Sequence, residues 1–159
     1  MTEITEEQVA RLIKMQKDSE EKITQAQRDE NKGKMNELMA DPAKLQAAMA
    51  EDAATFAAAD TDGDGRLNHT EFVDFCSKQE ANAIAKGWHM AKSTDEDIEA
   101  WWNIMLEITK ETSSVTKEQY DTIQGRMMEA YMAQMWAHHR IVSFLTFICP
   151  KDILFANIH

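Results

Sequence analysis

The chain has 159 residues, 43% of them hydrophobic and 28% charged, and a formal net charge of −11. That length gives one domain, or one domain with an extension, and the apolar fraction is enough for a core. The acidic balance argues against nucleic acid as a partner, because neutralising phosphates takes clustered Lys and Arg, and favours cations or basic proteins instead.

The opening stretch, MTEITEEQVA, lacks the basic and apolar regions of a secretory signal, and Thr2 stands where N-myristoylation needs glycine. With no apolar run of about 18 residues to span a bilayer, no membrane anchor is expected, and the reading is a soluble cytoplasmic protein. Cys76 and Cys149 sit among apolar neighbours without metal or redox spacing, which suits a reducing compartment and two buried thiols.

The pattern along the chain is helical, with only two prolines and five glycines and no sustained strand-period alternation. A first helix is expected from about Thr5 to Gly33, opened by Thr5 and Gln8 as a capping box. Its apolar residues (Val9, Leu12, Ile13, Met15, Ile23) thin out early, so it is either frayed or laid against something. Asp41 followed by Pro42 restarts the chain as N-cap and first helical residue. This second helix runs to Asp60, and a third, carrying Phe72, Phe75 and Cys76, runs from near Asn68 to the break around Gly87. Ser93 and Glu96 are read as the cap of a fourth helix, in which Ile98, Trp101, Trp102, Met105 and Ile108 recur at helical spacing. Thr116 and Gln119 cap a fifth, reaching about His139. A last apolar run, IVSFLTFIC, ends at Pro150 and has to be covered by protein.

Between the second and third helices lies DTDGDGRLNHTE, residues 60–71, which is too acidic and too rich in glycine for a core. A hard divalent ion takes six to eight oxygens at roughly 2.3–2.6 Å, and a loop of this length supplies them from fixed positions. Asp60, Asp62, Asp64 and Glu71 stand at positions 1, 3, 5 and 12. Gly65 stands at the sharp turn of position 6, Arg66 at position 7 offers its carbonyl, Asn68 at position 9 acts through water, and Leu67 at position 8 is the apolar pin. The segment resembles an EF-hand, matching its pattern at every defined position, and with the flanking Phe56, Phe72 and Phe75 the likeness covers about thirty residues. It implies one Ca²⁺ site, with Mg²⁺ as competitor, held by Asp60, Asp62, Asp64, Arg66, Asn68 and Glu71.

EF-hands come in pairs. Aligning Val115 with Leu67 and Tyr120 with Phe72 gives a second loop, ITKETSSVTKEQ, residues 108–119. Its ligand positions hold Ile108, Lys110, Thr112 and Gln119, and Ser113 replaces the turn glycine, so it is read as a vestigial hand that binds no calcium. Leu67 and Val115 are expected to meet in a short two-stranded contact, flanked by Ile104, Ile123 and Met127. The organisation expected is all-α: a polar helical extension over 1–40, an EF-hand pair over 41–140, and an apolar tail over 141–159.

The chain has eleven methionines, and Met127, Met128, Met132 and Met135 crowd the fifth helix beside Tyr131 and Trp136. They read either as core against Trp101, Trp102 and Met105 or as an adaptable groove for a partner helix, which the tail IVSFLTFIC could itself fill. His69 is not at a ligand position, and His138 and His139 are adjacent and diverge on a helix, so none is a metal candidate. No nucleophile motif or phosphate-binding loop is present, and no enzyme is expected. Two functions stay open. One is a calcium sensor or regulatory protein that binds a protein partner through a helical or Met-rich surface. The other is a calcium-stabilised structural subunit of a larger, cytoskeletal or axonemal, assembly.

Overall fold

A computed structural model describes residues 3–136, and among them the fold is helical, with six α-helices and two three-residue strands. The chain begins with α1 (Glu6–Glu20), where Thr5 and Gln8 form the expected capping box. Here the first difference from the sequence reading appears, because the helix stops at Glu20 and does not continue to Gly33. A second Thr/Gln capping box, Thr24 with Gln27, starts α2 (Gln25–Ala40). Arg28 reaches back and donates to the carbonyls of Glu20, which also takes the Ile23 amide, and Ile23, at 2.9 and 2.8 Å, and so ties down the turn after α1.

Helix α3 (Pro42–Ala59) starts as expected, with Asp41 accepting from the amides of Ala43 and Lys44. It leads through the acidic loop into β1 (Arg66–Asn68) and α4 (His69–Ala85). After α4 the chain turns at Gly87, whose φ of 82° lies in the left-handed region. Helix α5 (Asp95–Thr109) is capped by Thr94 and Asp97, one residue later than the Ser93 and Glu96 read from the sequence. Then come β2 (Ser114–Thr116) and α6 (Lys117–Trp136), opened by the expected Thr116 and Gln119 box.

The two strands pair antiparallel, with Arg66 opposite Thr116, Leu67 opposite Val115 and Asn68 opposite Ser114. Two helix–strand–helix units, α3–β1–α4 and α5–β2–α6, are thereby joined back to back. Phe56, Leu67, Phe72 and Phe75 of the first unit meet Trp102, Ile104, Met105, Ile108, Val115, Ile123 and Met127 of the second in one core. Aromatic contacts carry it across: Phe72 lies 5.3 Å from Trp102, and Phe75 is edge-on to Tyr120 at 5.0 Å. Cys76 and Tyr120 pack against this core, and burial pushes the Cys76 thiol up to about 12.

Within the stretch read as a polar extension, the two helices behave differently. α1 lies against α5 and α6, burying Val9, Leu12 and Ile13 and placing Leu12 inside the shared core, whereas α2 buries none of its residues. Met127 and Met132 on α6 are buried and Met128 is half-buried, in a helix that α1 packs against. Polar contacts fix the edges of α1. Gln8 and Arg11 donate to Glu107, Lys17 to Gln134, and the Tyr131 hydroxyl to Glu20 at 2.5–2.6 Å. The side chains of Met135 and Trp136, together with His138, His139, Cys149 and the tail over 141–159, lie outside the described residues. No helix of the described residues is long and apolar enough to cross a membrane.

Candidate metal centre

The acidic loop is shaped by its own carboxylates. Asp60 Oδ1 accepts from the amides of Gly63 and Asp64 at 2.8 and 3.2 Å, and its Oδ2 accepts from Gly65 at 2.9 Å. Asp62 accepts from the Asp64 amide at 3.1 Å, and Asp64 from the Arg66 amide at 2.8 Å. Such side-chain to backbone bonds turn a short polar segment without help from the core. Gly63 and Gly65, with φ of 71° and 80°, take the left-handed conformations that a Cβ would oppose.

At the far end Glu71 folds back over the loop. Its Oε1 accepts from the Thr61 amide and hydroxyl at 3.0 and 2.8 Å, and its Oε2 from the Asn68 amide at 3.0 Å. Asn68 returns a bond to the Glu71 amide at 3.1 Å, completing the cap of α4. The Asn68 amide and then the Thr61 hydroxyl hold the Glu71 carboxyl below its ordinary range. Asp62 moves the other way. The Asp64 amide favours its charged form, but partial desolvation and the charges of Asp64 and Glu71 outweigh that bond and raise its pKa.

One carboxylate oxygen from each of Asp60, Asp62 and Glu71 lies within 4.8 Å of the others. Three like charges so close repel, and a cation among them relieves that repulsion as it gains ligands. The structure therefore brings together three of the four carboxylates read as ligands. Asp64 is outside this acidic group, with an oxygen turned to the Arg66 amide. Asn68 uses its side chain as the helix cap, and Arg66 opens β1.

Two residues at the site were not singled out from the sequence for what they do here. Thr61, at the unconstrained second position, holds Glu71 Oε1, and only the folded-back loop makes that visible. Arg66, read from the sequence only for its carbonyl, sends its side chain across to the second loop, where its Nε donates to Ser114 Oγ at 2.7 Å. In that second loop Ile108 is buried and Lys110 holds a left-handed φ of 58°. Gln119 accepts from the Thr116 amide at 2.8 Å and donates to Glu111 at 3.2 Å. His69 stands apart from the acidic cluster, with Nε2 on Glu99 and its ring edge-on to Trp102 at 5.5 Å.

No protein-family model matches the chain, and neither a curated protein nor a solved structure matches it.

Proposed function

We propose that this chain is an EF-hand calcium-binding protein of the cytoplasm with one working loop, residues 60–71, paired to a vestigial hand at 108–119, and that it acts as a calcium sensor or regulator of a protein partner. The observation that carries the reading is the convergence of Asp60, Asp62 and Glu71 oxygens within 4.8 Å. Ligands on opposite sides of one Ca²⁺ stand up to roughly 4.6–5.2 Å apart, twice the metal–oxygen distance, so this group fits a single shell. The Arg66 carbonyl, Asp64 and a water on Asn68 would complete it, with Glu71 supplying both oxygens. The ion supplies charge neutralisation and cross-links the start of the loop to α4. The Leu67–Val115 pairing supports the two-hand reading, since one helix–loop–helix cannot bury its own apolar face.

A second reading, a calcium-stabilised structural subunit of a larger assembly, is favoured by one observation. α1 already lies on α5 and α6 and is pinned there through Arg11–Glu107 and Tyr131–Glu20, so the methionine-bearing helix is not bare.

The test is a calcium titration of the full chain in about millimolar Mg²⁺, by calorimetry and tryptophan emission, with Asp60→Asn/Glu71→Gln as control. Trp102 touches Phe72, the residue after Glu71, and so reports movement of α4. Binding of one calcium between roughly 10⁻⁷ and 10⁻⁵ M with a shift in emission supports the sensor. Binding without a shift supports the structural subunit, and no binding by the unaltered chain refutes both.

A further inference from the structure

Arg66 belongs to the first loop by its backbone and to the second by its side chain. Its amide donates to Asp64, and in the sheet it stands opposite Thr116. Its guanidinium donates from Nε to Ser114 Oγ at 2.7 Å and from a terminal nitrogen to the Ser114 carbonyl at 3.4 Å, and that nitrogen lies 3.1 Å from Glu111 Oε1. Glu111 is also the acceptor for Gln119, whose own oxygen takes the Thr116 amide.

The parallel with the first loop is close. Glu71 and Asn68 form one box at positions 12 and 9, and Gln119 and Thr116 form the other. What differs is the middle. With Ile108, Lys110, Thr112 and Gln119 at the ligand positions, the second loop cannot collect a divalent ion. Of its acidic side chains, Glu111 faces a guanidinium from the neighbouring loop instead, together with the oxygens of Ser114.

We propose that Arg66 is a positioning residue that couples the two loops. Its guanidinium serves the second loop as a resident cation, and its backbone belongs to the loop that takes the free ion. The planar fork matters as well as the charge, because a guanidinium holds its donors at fixed, spread positions that meet a hydroxyl, a carbonyl and a carboxylate together, whereas an ammonium gathers its three donors on one atom at the end of a flexible stem. The side chains of Arg66 and Glu111 are 33% and 37% exposed, so solvent weakens their attraction, and the three-point geometry carries the anchor. A rotation of the peptide at Arg66 when an ion takes its carbonyl must then be felt at Ser114 and Glu111.

Amide hydrogen exchange on the full chain tests this, read segment by segment for the unaltered protein, Arg66→Ala, Arg66→Lys and Glu111→Gln. Without metal, Arg66→Ala is expected to speed exchange over residues 111–119 by about tenfold, the loss of one hydrogen-bonded charge contact, with α3 and the core of α5 unchanged. Arg66→Lys falls between, and Glu111→Gln repeats much of the effect. On adding calcium, exchange over 111–119 slows in the unaltered protein and not in Arg66→Ala. Equal exchange over 111–119 in all four proteins overturns the proposal, and so does a uniform rise over every helix, which is what a merely structural arginine gives. The calcium arm rests on the reading proposed above. If calcium leaves residues 60–71 of the unaltered protein unprotected, that reading fails, and the metal-free comparison still decides the role of Arg66.

Discussion

Leu67 and Val115 face each other across the two-stranded sheet, and neither has any exposed surface. Each is the one buried residue of its strand, so the joint between the two helix–strand–helix units runs through this pair. Leu67→Ala is expected to cost about 2–5 kcal/mol and Val115→Ala somewhat less, as cavities in a shared core. Because the residues touch, the double variant should cost less than the sum. Strict additivity in chemical denaturation would argue that the units fold without this joint.

Thr61 tests whether the loop is held ready for an ion. Thr61→Val keeps the shape but removes the hydroxyl that donates to Glu71 Oε1 at 2.8 Å. Partners that orient a ligand are worth tenfold or more in affinity, so calcium should bind about tenfold more weakly by calorimetry. An unchanged dissociation constant would mean that Glu71 orients itself.

The contacts of α1 separate buried from exposed contributions. Leu12 has no exposed surface and lies in the shared core, so Leu12→Ala should cost about 2–5 kcal/mol. The Arg11–Glu107 pair is about half exposed on both sides. Arg11→Ala should therefore change stability by less than about 1 kcal/mol, and less still at high salt. A larger loss from Arg11→Ala than from Leu12→Ala in thermal melts would reverse this account of how α1 is held.

The acidic cluster should respond to pH in two opposed ways. Glu71, held low, contributes stability that is present above its unfolded pKa and is lost as the pH falls through its folded one. Asp62, held high, favours the neutral form, so its contribution is present at low pH and is lost as the pH rises through its folded value. A metal ion needs both charged. Calcium affinity should thus fall as the pH drops from 7 towards about 4, with protons released on binding. Calorimetry in two buffers of different ionisation enthalpy counts those protons, and a count of zero near the carboxylate range would contradict the assignment of Asp62.

Cys76 should be nearly inert. The thiolate is the reactive form, and a thiol pushed up to about 12 by burial is almost entirely protonated at neutral pH. In a Cys149→Ser background, a disulfide reagent at mildly alkaline pH should modify Cys76 at least ~100-fold more slowly in the folded than in the denatured chain. Comparable rates would place the thiol in contact with solvent.

The loop was legible in the sequence because its chemistry is local: Asp60, Asp62 and Glu71 are brought together by a turn that Gly65 and the aspartates themselves encode. The Leu67–Val115 register was also readable, from the apolar residue at position 8 of each loop. The break after Glu20 was not. No glycine or proline marks it, Thr24 and Gln27 sit in a mostly polar stretch, and Arg28 acts over eight residues of separation to reach Glu20. The site of α1 was hidden for a different reason. Val9, Leu12 and Ile13 announce an apolar face, but which helix receives it depends on the assembled units. Arg66 is the extreme case, since the Leu67–Val115 register brings the loops together but the reach of the side chain to Ser114, 48 residues away, is set only by the folded pair.

Helix α2 buries nothing, yet Asn31 grips the backbone of His89 at both its carbonyl and its amide, at 2.7 and 2.9 Å. A helix held at its first turn by Arg28 and at its middle by Asn31, with no residue fully buried, is a natural handle. Its outer face is where a fluorophore, an affinity tag or an inserted domain would disturb neither loop, and where drift among related chains should accumulate fastest.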